Sequence, residues 1–201
     1  RGFLAPWDAR GQEKPSGPPI QNVLTQAVQV LNLSSAEAGR QHPVRLRGVL
    51  TFYEQRTELC FVQDESAGIY FYPKNWARSA KSGDLVEVTG VTAPGSYSPL
   101  VSRAELSVLG PGRLPAPKPV AIEQLASGRL DCQWGQVEGV VHRATENWGH
   151  LVLDLVAGSS RLKVRILERE NGLERTLIDS RVRVQGVIAA THDSRKRPDG
   201  F

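Results

Sequence analysis

The sequence predicts a mainly β protein built from two similar small barrels in tandem, and three observations carry that expectation. Of the 201 residues only 6% are aromatic, while 19 are Gly and 13 are Pro, a composition of many turns and few long helices. Four segments share an apolar–polar–Gly–Val step within alternating runs: Leu46-Arg47-Gly48-Val49, Val88-Thr89-Gly90-Val91, Val137-Glu138-Gly139-Val140 and Val184-Gln185-Gly186-Val187. Matching glycines are offset almost constantly, by 91 positions from Gly48 to Gly139 and by 96 from Gly90 to Gly186. Such an offset marks a duplicated unit of about ninety residues. Glycine weakens a strand unless it permits a bend, and the coiled strands of small barrels need bends.

The elements follow in order. Residues 1–20 set Pro6, Pro15, Pro18 and Pro19 among Gly2, Gly11 and Gly17 and read as a linker or extended arm. The first barrel occupies 21–110, with a helix-like stretch at 22–33 and a further turn at 35–40, where Ser34 and Glu37 are spaced as a capping box. Its strands are expected at 44–52, 58–63, 68–72, 85–92 and 101–109, with a turn at Asp64-Glu65-Ser66-Ala67-Gly68 and the longest connection between the third and fourth. That order suits the five-stranded Greek-key barrel called the OB-fold. Four prolines in 110–119 make 111–119 a stiff spacer. The second barrel, 120–201, repeats the plan with a helix at 122–130 and strands at 135–142, 151–156, 161–167 and 181–190. It lacks a fifth strand. The edge beside 181–190 is therefore expected to be covered by the arm around Gly2-Phe3-Leu4 or by a neighbouring molecule.

Charge and motifs narrow the chemistry. The net charge of +4 is spread out: residues 44–109 carry seven basic and seven acidic side chains, and 120–201 carry twelve and eleven. The dense run Arg195-Lys196-Arg197 reads as an exposed turn. No module shows a concentrated basic stripe, so oligonucleotide binding is expected to be negligible, on the order of 10⁻⁴ M or weaker. His42, His142, His150 and His192 fall in no metal-ligand spacing and read as surface or rim histidines. Cys60 reads as a small buried thiol, and a Cys60–Cys132 bridge is chemically permitted. Nucleophile-elbow, phosphate-loop and dinucleotide-binding patterns are absent, so neither catalysis nor a cofactor or metal is expected. The chain has no stretch of 18 apolar residues and begins at Arg1 without any Met, which reads as a fragment or a processed product.

The candidate ligand-binding residues are aromatic: Phe52, Tyr53, Tyr70, Tyr72 and Trp76, on or beside the first three strands. Alternation sets Ile69 and Phe71 toward the barrel interior and leaves Tyr70 and Tyr72 outside. Aromatics on these strands of an OB-fold can stack bases or other flat ligands.

The run Phe61-Val62-Gln63-Asp64-Glu65-Ser66-Ala67-Gly68-Ile69-Tyr70 resembles a step of OB-fold modules that accompany secreted bacterial enzymes and receptors. With Pro43-Val44-Arg45-Leu46-Arg47-Gly48-Val49 and Gly83-Asp84-Leu85-Val86-Glu87-Val88, the chain over roughly 20–190 is similar to the extracytoplasmic sensor region of bacterial two-component histidine kinases and diguanylate cyclases. The resemblance implies a periplasmic, non-catalytic sensing module tethered to the membrane in a longer protein. It implies a small-molecule or protein partner, no nucleic acid, and admits a homodimer. Two other readings stand beside it: an oligonucleotide-binding OB-fold module, favoured by fold alone, and an accessory domain of a secreted hydrolase.

Overall fold

The computed structural model describes residues 22–125, 128–147, 149–166, 176–189, 191–192 and 198–200. The expected arm at 1–20 and the run Arg195-Lys196-Arg197 lie outside them. Strands β1 (Pro43–Glu54), β2 (Leu59–Gln63), β3 (Gly68–Pro73), β4 (Asp84–Ala93) and β5 (Leu100–Pro111) close a barrel in the order β1-β2-β3-β5-β4. β3 and β5 run parallel and the other neighbours antiparallel, which is the OB-fold arrangement. Period-two alternation turns Leu46, Leu50, Val62, Phe71 and Val88 into the closed interior. Each such side chain contributes about 1.5–3 kcal/mol by leaving water.

Two short helices precede the barrel, α1 (Ala27–Leu31) and α2 (Ser35–Ala38). The Ser34 and Glu37 side chains form the expected capping box, with Glu37 Oε2 accepting from the Ser34 backbone N–H at 2.9 Å and Ser34 Oγ accepting from the Glu37 N–H at 3.2 Å. The first helix is much shorter than the 22–33 stretch allowed, and the second occupies most of the turn expected at 35–40. Asn32 caps the end of the first, and Ala38 of the second is fully buried.

The second half holds β6 (Lys118–Pro119), α3 (Ile122–Leu125), β7 (Trp134–Asn147), β8 (His150–Ala157), β9 (Ser160–Ile166) and β10 (Arg181–Val187). They form an open sheet in the order β10-β7-β8-β9, with β6 beside β7, around a separate core of Leu125, Val141, Leu151, Leu153 and Leu155. Among the described residues no strand stands between β9 and β10, where β5 stands in the first barrel, and β10 pairs with β7 alone. A last hairpin joins β11 (Thr191–His192) to β12 (Pro198–Gly200).

Register makes the duplication concrete. Gly48 faces Val86 of β4 and Gly139 faces Val182 of β10, and each glycine immediately precedes the first residue paired to the next strand, Val49 with Gln63 and Val140 with Val156. A bulge follows in both copies, between Leu50 and Phe52 and between Val141 and Arg143. A Cβ on Gly48 would stand 2.5 Å from the Gln63 carbonyl oxygen, and one on Gly139 would stand 3.1 Å from that of Val156. Absence of a side chain lets the bent strand press on its neighbour.

The halves meet through the first barrel's β2–β3 turn. Gly68 donates its N–H to Gln133 Oε1 at 3.1 Å, Gln133 Nε2 donates back to the Gly68 carbonyl at 3.3 Å, and the Trp134 N–H donates to Gln63 Oε1 at 2.8 Å. The Cys132 carbonyl sits where a Cβ on Gly68 would stand. Cys60 and Cys132 are both free and buried, so the permitted bridge is not formed. Burial pushes the Cys60 thiol up to about 12 and raises Cys132 as well.

Two outcomes follow from this packing. Gly68→Ala lowers stability by about 1–3 kcal/mol through overpacking, read as a fall in the urea midpoint; an unchanged midpoint would mean that Cys132 does not press on this turn. Both thiols resist a disulfide reagent at pH 8 in the folded protein and react fully in denaturant. Rapid labelling without denaturant would contradict their burial.

Candidate functional site

The five aromatic residues divide between two faces. Tyr53 packs on the first core, stacked with Phe71 at a centroid distance of 6.5 Å and against Trp76 at 5.0 Å, and its hydroxyl accepts the Ala77 N–H at 2.8 Å. Tyr53 and Trp76 are packing residues. Phe52 lies on the opposite face because the bulge after Leu50 resets the alternation, pairing Phe52 with Phe61. There Phe52, Phe61 and Tyr70 form an edge-to-face row, with centroids 6.3 Å and 5.5 Å apart. Tyr72 continues it and is 45% exposed.

Both tyrosines are fastened to the β1–β2 turn, residues 55–58. Tyr70 donates its hydroxyl to the Glu58 carbonyl at 2.8 Å, and Tyr72 donates to Glu58 Oε2 at 3.0 Å. Burial first, then neighbouring acidic groups, pushes the Tyr70 phenol up to about 12, while the Glu58 hydrogen bond is the main cause that raises Tyr72. Glu58 holds a positive φ of 55°. At the other end of the turn, Glu54 accepts from the N–H groups of Arg56 and Thr57 and from the Thr57 hydroxyl, at 2.7–2.9 Å. Burial raises the Glu54 carboxyl, but these donors and the nearby His150 ring outweigh it and hold the group below its ordinary value. Its contribution to the turn is present at neutral pH and is lost as pH falls through that lowered value.

This turn projects Arg56 at the second half. Arg56 and Thr57 line a cavity of about 580 Å³ with Asn147 and His150 from the β7–β8 hairpin and Arg165 from β9. Arg56 Nη1 lies 3.4 Å from where a Cβ on Gly149 would stand. His150, expected at the rim beside the exposed His142, is only 6% exposed, and neither ring nitrogen has a hydrogen-bond partner.

Strand β9 continues from Arg165 as a cationic row. Arg161, Lys163 and Arg165 alternate with Leu162, Val164 and Ile166, so the three cations share the outer face and all three are exposed. Their spacing along the strand is about 7 Å. Asp154 of β8 stands opposite Lys163 in register. Summing charge over residues 120–201 concealed this row: apolar Val156 and Val152 stand opposite Arg161 and Arg165, and another acid of the sum, Glu138, is paired with Arg181 and Arg183 on β10 at 3.4 and 2.8 Å. The signal that could have found it is the period-two placement of Arg161, Lys163 and Arg165 within one strand. Among the described residues there is no cluster of metal-ligating side chains and no helix long and apolar enough to cross a membrane.

No family model and no curated protein matches the chain. Solved structures do. The HINa domain of Ifi202 in complex with 20-base-pair double-stranded DNA is 13% identical, over 65% of this chain and 79% of that one, with a TM-score of 0.35. The HINb domain of p204 is 12% identical, over 73% and 85%, with a TM-score of 0.37. A replication protein A heterotrimer bound to single-stranded DNA is 11% identical, over 82% and 52%, with a TM-score of 0.35. These findings correct two expectations. The structures named above are HIN domains and replication protein A rather than bacterial sensor regions, and no family model supports a sensor module of a histidine kinase or diguanylate cyclase. The exclusion of nucleic acid as a partner is likewise withdrawn.

Tyr70→Phe lowers stability by about 1 kcal/mol, the usual net worth of a hydrogen bond, whereas Tyr72→Phe at its exposed position changes it by less than about 0.5 kcal/mol. Paired urea titrations test this; equal effects would mean that Tyr70 does not hold the turn.

Proposed function

We propose that the chain is a nucleic-acid-binding module that grips a single strand by its phosphates and assigns no catalytic residue. The observation that carries this reading is the cationic row Arg161, Lys163 and Arg165, which leads to Arg56 at the junction of the two halves. Four cations along one path neutralise successive phosphates and release counterions, which is the main source of affinity in sequence-tolerant binding. The β2–β3 face and the β1–β2 turn of an OB-fold are its usual oligonucleotide surfaces. Here both lie at the same end of the path, since Tyr70 and Tyr72 bind the turn that carries Arg56. Exposed Tyr72 supplies a flat surface for a base, and base–aromatic stacking contributes about 1–3 kcal/mol. The two acidic residues that flank the turn's cation are engaged locally, Glu54 by the Arg56 and Thr57 N–H groups and Glu58 by Tyr72.

Fluorescence anisotropy with a labelled single strand provides the test. Binding is expected near 10 μM or tighter at low salt, with a slope of log K against log salt of about −3, from roughly 0.7 per phosphate. Replacing Arg161, Lys163 and Arg165 together by Ala weakens binding at least tenfold, about 1.4 kcal/mol, and flattens the slope by about 2. Binding that is absent at low salt, or whose slope ignores these three residues, would sink the proposal.

A further inference from the structure

The cavity at the junction has features that a path for phosphates does not require. Its lining residues come from both halves and carry donors, the guanidinium groups of Arg56 and Arg165, the Asn147 amide and the His150 imidazole, while the Thr57 hydroxyl is already given to Glu54. Among the described residues no carboxylate lines it, and Glu54, the acidic group felt by His150, is held by the Arg56 and Thr57 backbone. His150 is buried in the lining with two unpartnered nitrogens. A buried polar group without a partner is unfavourable, and it becomes favourable when a ligand supplies the bond. We propose that this cavity binds a phosphomonoester of nucleotide size, either a free mononucleotide or the phosphorylated end of a strand.

Three arguments lead to that chemistry. An anion suits the lining, because its described residues offer guanidinium, amide and imidazole donors and no acid. A terminal phosphoryl group presents three oxygens to such donors, whereas a carboxylate presents two. A cavity of about 580 Å³ exceeds what inorganic phosphate fills and lies in the size range of small-molecule sites. A diester inside a strand would have to run in to His150 and out again, whereas an end can stop there. Both ring nitrogens are shut from solvent as the cavity stands, so a lining side chain must turn to admit the ligand. Arg56 lies over Gly149, the neighbour of His150, and is itself exposed. Being exposed beside the hairpin, it is the side chain that would fold onto the phosphoryl group.

The test uses the full chain with ¹⁵N-labelled histidine, titrated with a nucleoside 5′-monophosphate, the unphosphorylated nucleoside and inorganic phosphate, with affinities from calorimetry. The His150 ring signals are expected to shift with the monophosphate, which binds at least tenfold tighter than the nucleoside or inorganic phosphate. Arg56→Ala, at an exposed position, weakens the monophosphate at least tenfold without unfolding the protein. Unmoved His150 signals, or phosphate binding as tightly as the monophosphate, overturn the proposal. A second arm compares strands with 5′-phosphate and 5′-hydroxyl ends. Preference for the phosphorylated end, lost in Arg56→Ala, supports the strand end as the source even where the mononucleotide binds weakly. Strands bound alike, with no mononucleotide bound, overturn the cavity and leave strand binding standing; mononucleotide binding without strand binding does the reverse.

Discussion

Two glutamines and a glycine hold the molecule's halves in one arrangement. Gln63 and Gln133 each use their amides across the junction, and Gly68 permits the backbone of Cys132 to approach where any side chain would collide. Side-chain amides suit this task because each can donate and accept, so Gln133 satisfies both polar groups of Gly68. The junction in turn sets the β1–β2 turn of the first barrel against the β7–β8 hairpin and β9 of the second. Arg56 and Arg165, 109 positions apart in the chain, line one cavity only because of it.

The same segment explains why a signature can be structural and still bear on binding. In Phe61-Val62-Gln63-Asp64-Glu65-Ser66-Ala67-Gly68-Ile69-Tyr70, Phe61 and Tyr70 build the outer aromatic row while Val62 and Ile69 fill the core. Asp64 organises the turn, accepting from the N–H groups of Ser66 and Ala67 through Oδ1 and from the Ala27 N–H at 2.7 Å through Oδ2. The start of α1 is thereby tied to the turn that clasps the second half. Every residue of the run whose bonds are described here serves shape, which is why a likeness in this run indicates a fold and leaves the ligand open.

Much of the architecture was legible in the linear sequence. The strands of the first barrel follow the alternation read from the residues, and the repeated glycines occupy matching places in register because the bend they permit is a local requirement. The aromatic site was legible only in part. Alternation placed Tyr70 and Tyr72 outside correctly, but counting on from Leu50 would turn Phe52 inward and Tyr53 outward; a single bulge after Leu50 exchanges the two, and no residue type in the run announces that bulge. The proline-rich spacer likewise held a surprise: its last two residues, Lys118 and Pro119, pair with Gly135 and Gln136. The first barrel has the same feature at Leu24 and Val44, ahead of its own helix. Such parallel pairing across the chain has no periodic signature.

Charge was the most misleading quantity, for a physical reason. A net balance over eighty residues sums groups that face different directions, whereas a polyanion feels those within about one Debye length of its own path, roughly 8 Å in physiological salt. Arg161, Lys163 and Arg165 fall on one face because a strand sends alternate side chains the same way, while Glu138 is engaged with Arg181 and Arg183 on another strand. The acidic residues of the second half therefore cancel its charge in arithmetic, while along β9 the register sets an acid, Asp154, opposite Lys163 and apolar Val156 and Val152 opposite Arg161 and Arg165. His150 shows the complementary limit of sequence reading: its character comes from burial and missing partners, and neither is written in the residues beside it in the chain. What a fold of this kind can bind is thus decided at the places where its local rules bring together residues that the chain keeps apart.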